Sequence, residues 1–369
     1  MTAVGSWAEV GDRVRQARFA HHLSQADLAA RLGVDRSALA RIESGERQVS
    51  ALELYRLSEI LDVPIGHFVS RPPAAVVSRG QALTDDADRV TRARFRMDAA
   101  LEAHARDAEW LVSRGFLAPS ELATPGPSAF GRADIAGNPR AAARALRAAL
   151  GLGMAPIASL ADACGRAGLH VLVVPGLEAG ASLLLDPGLG VAVVGGEDRP
   201  GRRRLTAAHE LGHLVLQDEY TTDIGVAAGR DEREQQIDVF ASEFLLPRDA
   251  LRQEWESQQA STRHRMVRIA GRYRVSWSVA VRSAREAGVL DSPQVVEICS
   301  MTPQRGELLE VLGREPPEDL TAGETSGIWR QAVLAAWHDG AVVASRAVEL
   351  LHGVIAETDL PEREVPEQA

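Results

Sequence analysis

The chain has no lysine, so each of its 41 basic residues is an arginine. Cysteine is almost absent too, since Cys164 and Cys299 are the only two and lie far apart, outside any metal-binding spacing. Two isolated cysteines exclude a disulfide framework and a thiolate metal site, and they favour the reducing cytosol. Any metal ion would therefore be held by histidine and carboxylate side chains.

Long apolar stretches are missing as well. No run of about 18 uncharged apolar residues occurs, and residues 1–9 lack the cationic start and apolar run of a secretion signal. We therefore expect a cytoplasmic protein with no membrane partner. The net charge of −10 excludes a surface coated with basic residues for indiscriminate nucleic-acid binding. It does not exclude a local DNA-binding face.

The length allows several domains, because 369 residues, 45% of them hydrophobic, suffice for two or three buried cores. Helical periodicity dominates both ends, and short β-prone runs occur between His170 and Val194. The predicted fold class is a multidomain α+β protein, mainly helical with one small β-sheet. The predicted segments are an all-α domain (8–70), a helical spacer with a flexible linker (71–135), a mixed domain (136–290) and a helical C-terminal extension with a frayed tail (291–369).

Two short helices in tandem are predicted near the N-terminus. Ser24 begins a capping-box-like start for the first helix, and Asp35 can cap the second. Between them Gly33 supplies the permissive backbone that a tight turn needs. Leu39 and Ile42 face inward and lock the second helix in place.

The second helix of such a pair can enter the major groove of DNA with its exposed N-terminal side chains. The candidates for base contacts are Arg36, Ser37, Ala38 and Arg41. Gln25 begins the first helix, where its amide suits a phosphate oxygen. The alternative to DNA binding is a small helical bundle that contacts another protein and whose arginines are solvated.

The segment SQADLAARLGVDRSALARIESG, with flanks from 9 to 70, resembles the lambda-repressor-like (XRE) helix-turn-helix family. The resemblance implies sequence-specific binding to a double-stranded DNA operator, usually by a homodimer on a two-fold site.

A second pattern, HELGH, lies in a run compatible with a helix. Its i, i+4 spacing places His209 and His213 on one face, where they can chelate one zinc ion (Zn²⁺). Glu210 lies beside that face and can act as the general base on a water molecule. The alternative is a pair of ordinary surface histidines.

A hydrolytic zinc site needs a third protein ligand. The helix predicted after 225–229 offers Glu232, Glu234 and Asp238. We favour Glu234 as the ligand, with Asp238 as an acceptor that orients a histidine N–H group. A solvated helix charge is the alternative for each of these acids.

The extended pattern, RLTAAHELGHLVL followed by EQQIDVFASEFLLP, resembles the ImmA/IrrE family of metallopeptidases over about 141–288. The resemblance implies a zincin-like fold and zinc-dependent peptide hydrolysis, with His209, His213 and Glu234 as metal ligands and Glu210 as the catalytic residue. Ile237 stands where the family usually has alanine, and this apolar difference affects packing between helices rather than the chemistry. Tyr220 and Arg204 are weaker candidates for stabilising an oxyanion.

Both patterns on one chain lead to the hypothesis of a DNA-binding transcriptional regulator with a zinc endopeptidase domain. Its substrate would be a regulatory protein such as a repressor, in a stress or mobile-element response. One alternative is a transcription factor whose peptidase-like domain is a non-catalytic sensor or dimerisation scaffold. Another is self-cleavage in the linker at 118–139, which would release the DNA-binding domain.

Overall fold

The structure, a computed structural model, describes residues 4–70, 77–78, 87–122, 138–216, 227–257 and 259–363, with the backbone alone at 77–78, 87–91 and 227–230. Its N-terminal domain is a bundle of helices around one apolar core. These helices are α1 (Trp7–Ala20), α2 (Gln25–Leu32), α3 (Arg36–Glu43), α4 (Ala51–Leu61) and α5 (Ile65–Val69). Leu39 and Ile42 are fully buried, as the spacing predicts.

Local capping sets the ends of the two tandem helices. The Ser24 side chain accepts a hydrogen bond from the backbone N–H of Asp27, and the Asp27 carboxylate accepts one from the backbone N–H of Ser24. Gly33 ends α2 in the left-handed region at φ 78°. Asp35 lies at the N-cap of α3 but makes no capping hydrogen bond. The predicted N-cap position is therefore correct, but the Asp35 side chain does not serve as an acceptor for the first amides of α3.

A long helix, α6 (Ala87–Ser113), joins the N-terminal domain to the rest of the molecule. Ala99 packs into the core of the N-terminal domain, whereas Leu101 and Leu111 pack into the core that covers the β-sheet. The predicted spacer is thus a packed helix shared by two cores. Residues 123–137, most of the predicted linker, lie outside the described residues.

The sheet has four strands: β1 (Val77–Ser78), β2 (Leu169–Val174), β3 (Gly180–Asp186) and β4 (Leu189–Gly195). Their order is β1-β3-β4-β2. The β3–β4 pair is an antiparallel hairpin, β2 runs parallel to β4, and β1 pairs antiparallel with the outer edge of β3.

Both faces of this sheet are covered, which explains why its strands are almost continuously apolar rather than alternating. On one face, Leu183 and Val191 pack against α6 and the C-terminal helices around Trp329. On the other face, Val171 and Ala192 pack against a layer of helices.

That layer and the C-terminal region contain the remaining helices. They are α7 (Pro139–Ala149), α8 (Leu160–Arg166), α9 (Pro200–Leu216), α10 (Ala227–Leu245), α11 (Arg248–Glu256), α12 (Thr262–Tyr273), α13 (Trp277–Glu286), α14 (Ser292–Cys299), α15 (Arg305–Leu312), α16 (Gly327–His338) and α17 (Ala344–Leu350), with a 3₁₀ turn at Glu357–Asp359. The predicted fold class, a mainly helical α+β protein with a small sheet, is confirmed. Within the described ranges, no helix is long and apolar enough to cross a membrane.

Candidate functional site

The predicted DNA-contacting side chains lie together on the outside of the tandem helices. Arg36, Ser37 and Arg41 are exposed on α3, and Ala38 is half-buried beside them. Arg36 also lines a concave surface between α1, α2 and α3. The geometry presents an exposed helix with two arginines, which is what major-groove contact requires.

A buried ion pair underneath this surface connects the three helices. Arg18 of α1 donates to both carboxylate oxygens of Glu43 at the end of α3, at 2.6 and 3.0 Å. Gln25, predicted to face a phosphate, donates its amide to the same carboxylate at 2.9 Å. Sequence reasoning missed this cluster, because 25 residues separate Arg18 from Glu43.

The second cluster brings together the three predicted metal ligands. Donor atoms of His209, His213 and Glu234 all lie within 4.8 Å of one another. Glu234 Oε2 is 3.2 Å from His209 Nε2 and 3.9 Å from His213 Nε2. Glu232, the other candidate on α10, is exposed and outside the cluster. Two imidazoles and one carboxylate that converge in this way suit a zinc ion.

Asp238 holds His209 in the orientation that this cluster needs. The Asp238 carboxylate lies 3.0 Å from His209 Nδ1, so that nitrogen carries the proton and Nε2 faces Glu234. Burial alone would lower the pKa of His209, but hydrogen bonds to Asp238 and Glu234 and the nearby charge of Glu210 raise that pKa to about 9. The cluster therefore favours a bound cation.

Close packing of α9 on α10 brings these side chains together. A Cβ atom added at Gly212 would lie 2.9 Å from Ile237 and 3.0 Å from Phe240. Only glycine leaves room for α10 to approach this closely. Ile237 is 1% exposed, so the bulkier side chain at this position fills the interface between the two helices.

Glu210 lies on the side of α9 that faces the sheet and is 3% exposed. Its carboxylate accepts a hydrogen bond from the hydroxyl of Ser182 on β3. Sequence reasoning missed Ser182, because a single serine in an apolar strand carries no functional signal.

Arg204 does not serve the oxyanion role considered above. Its guanidinium is 1% exposed and pairs with Asp319, which also accepts from the backbone of Leu160. Arg204 therefore ties the C-terminal region to α8 and α9. Tyr220, the other oxyanion candidate, lies outside the described residues.

Comparison with known proteins gives a family match over each of the two regions that contain these clusters. Residues 14–68 match a family model described as helix-turn-helix. Residues 164–284 match a peptidase family described as the IrrE N-terminal-like domain. Over 63 residues, 17% of this chain, the sequence is 44% identical to a Rhodospirillum rubrum protein described as "Uncharacterized transcriptional regulator in ATPase CF(0) region". The match spans 58% of that relative's length.

The chain thus contains one region similar to XRE-type helix-turn-helix domains and one similar to ImmA/IrrE-type peptidase domains. Both resemblances drawn from the motifs are confirmed.

Proposed function

We propose that this chain is a cytoplasmic transcriptional regulator whose zinc-dependent endopeptidase domain cleaves a regulatory protein, with a repressor as the substrate class. The observation that carries the proposal is the convergence of His209 and His213 Nε2 on the Glu234 carboxylate, with Glu210 on the same helix. We propose that this regulator acts in a stress response or in the switching of a mobile element.

One zinc ion fits the donor set. His209, His213 and Glu234 would hold it, which is the number of protein ligands that leaves a position open in catalytic sites. When bound, zinc acidifies water and polarises a carbonyl group. Asp238 fixes the tautomer of His209 through the hydrogen bond to Nδ1.

Glu210 is the general base in this proposal. Its carboxylate takes one proton from water as the water oxygen attacks the scissile carbonyl carbon, and it then delivers that proton to the leaving amine as the C–N bond breaks. Burial at 3% exposure keeps bulk water away from the carboxylate. The reaction adds one water molecule and yields two peptides.

The N-terminal domain places the molecule on an operator. Arg36, Ser37, Ala38 and Arg41 would contact bases in the major groove. Gln25 would contact a phosphate through the second N–H of its amide, because the first donates to Glu43. A homodimer would match a two-fold operator, as is usual for helix-turn-helix proteins.

The test uses full-length, zinc-loaded protein and purified repressors encoded near its gene. Intact-mass spectrometry is expected to detect two fragments from one repressor. The Glu210→Gln variant is expected to leave that repressor whole while its zinc content, measured by atomic emission, equals that of the wild type. Equal cleavage by the variant would exclude Glu210 as the base. If the wild type cleaves neither a repressor nor its own chain, the protein is a regulator without peptidase activity.

A further inference from the structure

We propose that Ser182 is the positioning residue for the general base: its hydroxyl fixes the Glu210 carboxylate between β3 and α9. This inference rests on the proposed peptidase function, because it concerns the base of that reaction. Ser182 is 9% exposed and donates to Glu210 Oε2.

The backbone of Ser182 is itself held in the sheet. Ser182 pairs with Ala192 across the β3–β4 hairpin, and its side chain points to the face covered by α9, opposite that of Ala181 and Leu183. A donor fixed in a strand has little freedom to follow a moving partner. The hydroxyl therefore sets the place of the carboxylate rather than the reverse.

Gly180, two residues earlier on the same face, lets α9 approach β3 closely. A Cβ atom at Gly180 would lie 2.5 Å from Thr206 Cγ2 and 3.5 Å from Glu210 Oε1. Gly180 thus allows the helix that carries Glu210 to pack on β3, where Ser182 hydrogen-bonds one oxygen of the Glu210 carboxylate.

The chemistry benefits from holding one oxygen. A glutamate has three rotatable side-chain bonds, and a hydrogen bond to Oε2 restricts them. In this proposal Oε1 is then the oxygen that would accept the proton of the attacking water. The Ser182 hydroxyl already donates its hydrogen bond to Glu210, so it is not available to bind the substrate. Its removal should lower kcat and leave KM unchanged.

The first experiment measures the contact without metal or substrate. Urea unfolding is followed for the metal-free wild type, Ser182→Ala, Glu210→Ala and the double variant. We expect the effects on the unfolding equilibrium constant to be non-additive by at least about threefold, as for residues in direct contact. Additive effects would overturn the proposal.

The second experiment measures positioning by kinetics on a cleaved protein or peptide. Ser182→Ala is expected to lose about tenfold or more in kcat, the scale of one hydrogen bond to a charged group. KM and zinc content should not change, and Ser182→Thr, which keeps the hydroxyl, should recover most of kcat. If the threonine methyl group lowers the melting temperature, Ser182→Cys replaces it and should give an intermediate kcat, since a thiol donates weakly.

Ser283→Ala is the matched control, because Ser283 is also a buried serine, on α13. It should leave kcat unchanged. An unchanged kcat in Ser182→Ala, a loss through KM alone, or the same loss in Ser283→Ala would overturn the positioning role. A wild type without cleavage would overturn the proposed function and the catalytic role of Ser182 with it, whereas additive unfolding effects would overturn the Ser182–Glu210 contact alone.

Discussion

Arg13 of α1 donates to the Glu102 carboxylate of α6 at 2.6 Å, and both side chains are buried. Glu102 also lies 3.4 Å from His67 Nδ1 on α5. This cluster attaches the helix-turn-helix domain to α6, the helix that packs on the β-sheet. The two domains are therefore joined by a buried ionic contact in addition to the chain itself.

Removing the acid of this cluster should loosen that junction. Glu102→Ala leaves the buried Arg13 without its carboxylate partner, a change that typically costs about 3–5 kcal/mol. We expect this loss in the free energy of unfolding, together with faster hydrogen exchange in α1. Asp12→Ala is the matched control, because it breaks the exposed pair of Asp12 with Arg15 on the same helix and should cost at most about 1 kcal/mol. Equal effects of the two substitutions would contradict the role of the buried pair.

Metal binding should depend on one of two glutamates that lie two residues apart on α10. Glu234→Ala removes one of three converging ligands, so zinc should be lost to a competing chelator at a concentration that the wild type withstands. Glu232→Ala changes an exposed acid outside the cluster and should behave as the wild type. Equal zinc retention by both variants would exclude Glu234 as a ligand.

Asp238 should act on the metal through His209. Because Asp238→Asn weakens the hydrogen bond that sets the tautomer of His209, zinc affinity should fall about 10–100-fold. Zinc competition with a fluorescent chelator measures the change, and an unaltered affinity would contradict the orienting role.

DNA binding should depend on the exposed arginines of α3. Arg36→Ala and Arg41→Ala should each weaken binding to a selected operator by about 1–3 kcal/mol, the cost of a lost base contact. Fluorescence anisotropy at fixed salt measures this. Arg114→Ala, an exposed arginine after α6, should leave binding unchanged. A uniform loss across all three variants would indicate general charge attraction instead of readout.

Acid should weaken the attachment of the C-terminal helices. His170 lies beside Trp329 of α16, and burial lowers the pKa of His170 to about 4. In the unfolded chain His170 binds a proton below about pH 6.5, whereas in the folded protein it stays neutral down to about pH 4. The free energy of unfolding therefore falls as the pH drops from 6.5 to 4, by at most about 3 kcal/mol for this group. Thermal unfolding at several pH values should show that the melting temperature of His170→Leu falls less steeply with decreasing pH than that of the wild type. His338→Leu, at an exposed histidine, should follow the wild type.

Much of the site could be predicted from sequence, because its key spacings lie within single helices. His209 and His213 share a face of any α-helix, and capping signals such as Ser24 with Asp27 operate over three residues. Asp35 shows the limit even at short range, since its position at the cap was right but its hydrogen bond is absent.

The sequence by itself determined the two domain types, the tandem helices and the histidine pair, because each depends on periodicity and on neighbours within a few residues. Only the tertiary structure decided which residues meet across long separations. Ser182 reaches Glu210 over 28 residues and Arg204 reaches Asp319 over 115. Such contacts depend on how helices and strands pack, for which local sequence patterns carry no signal.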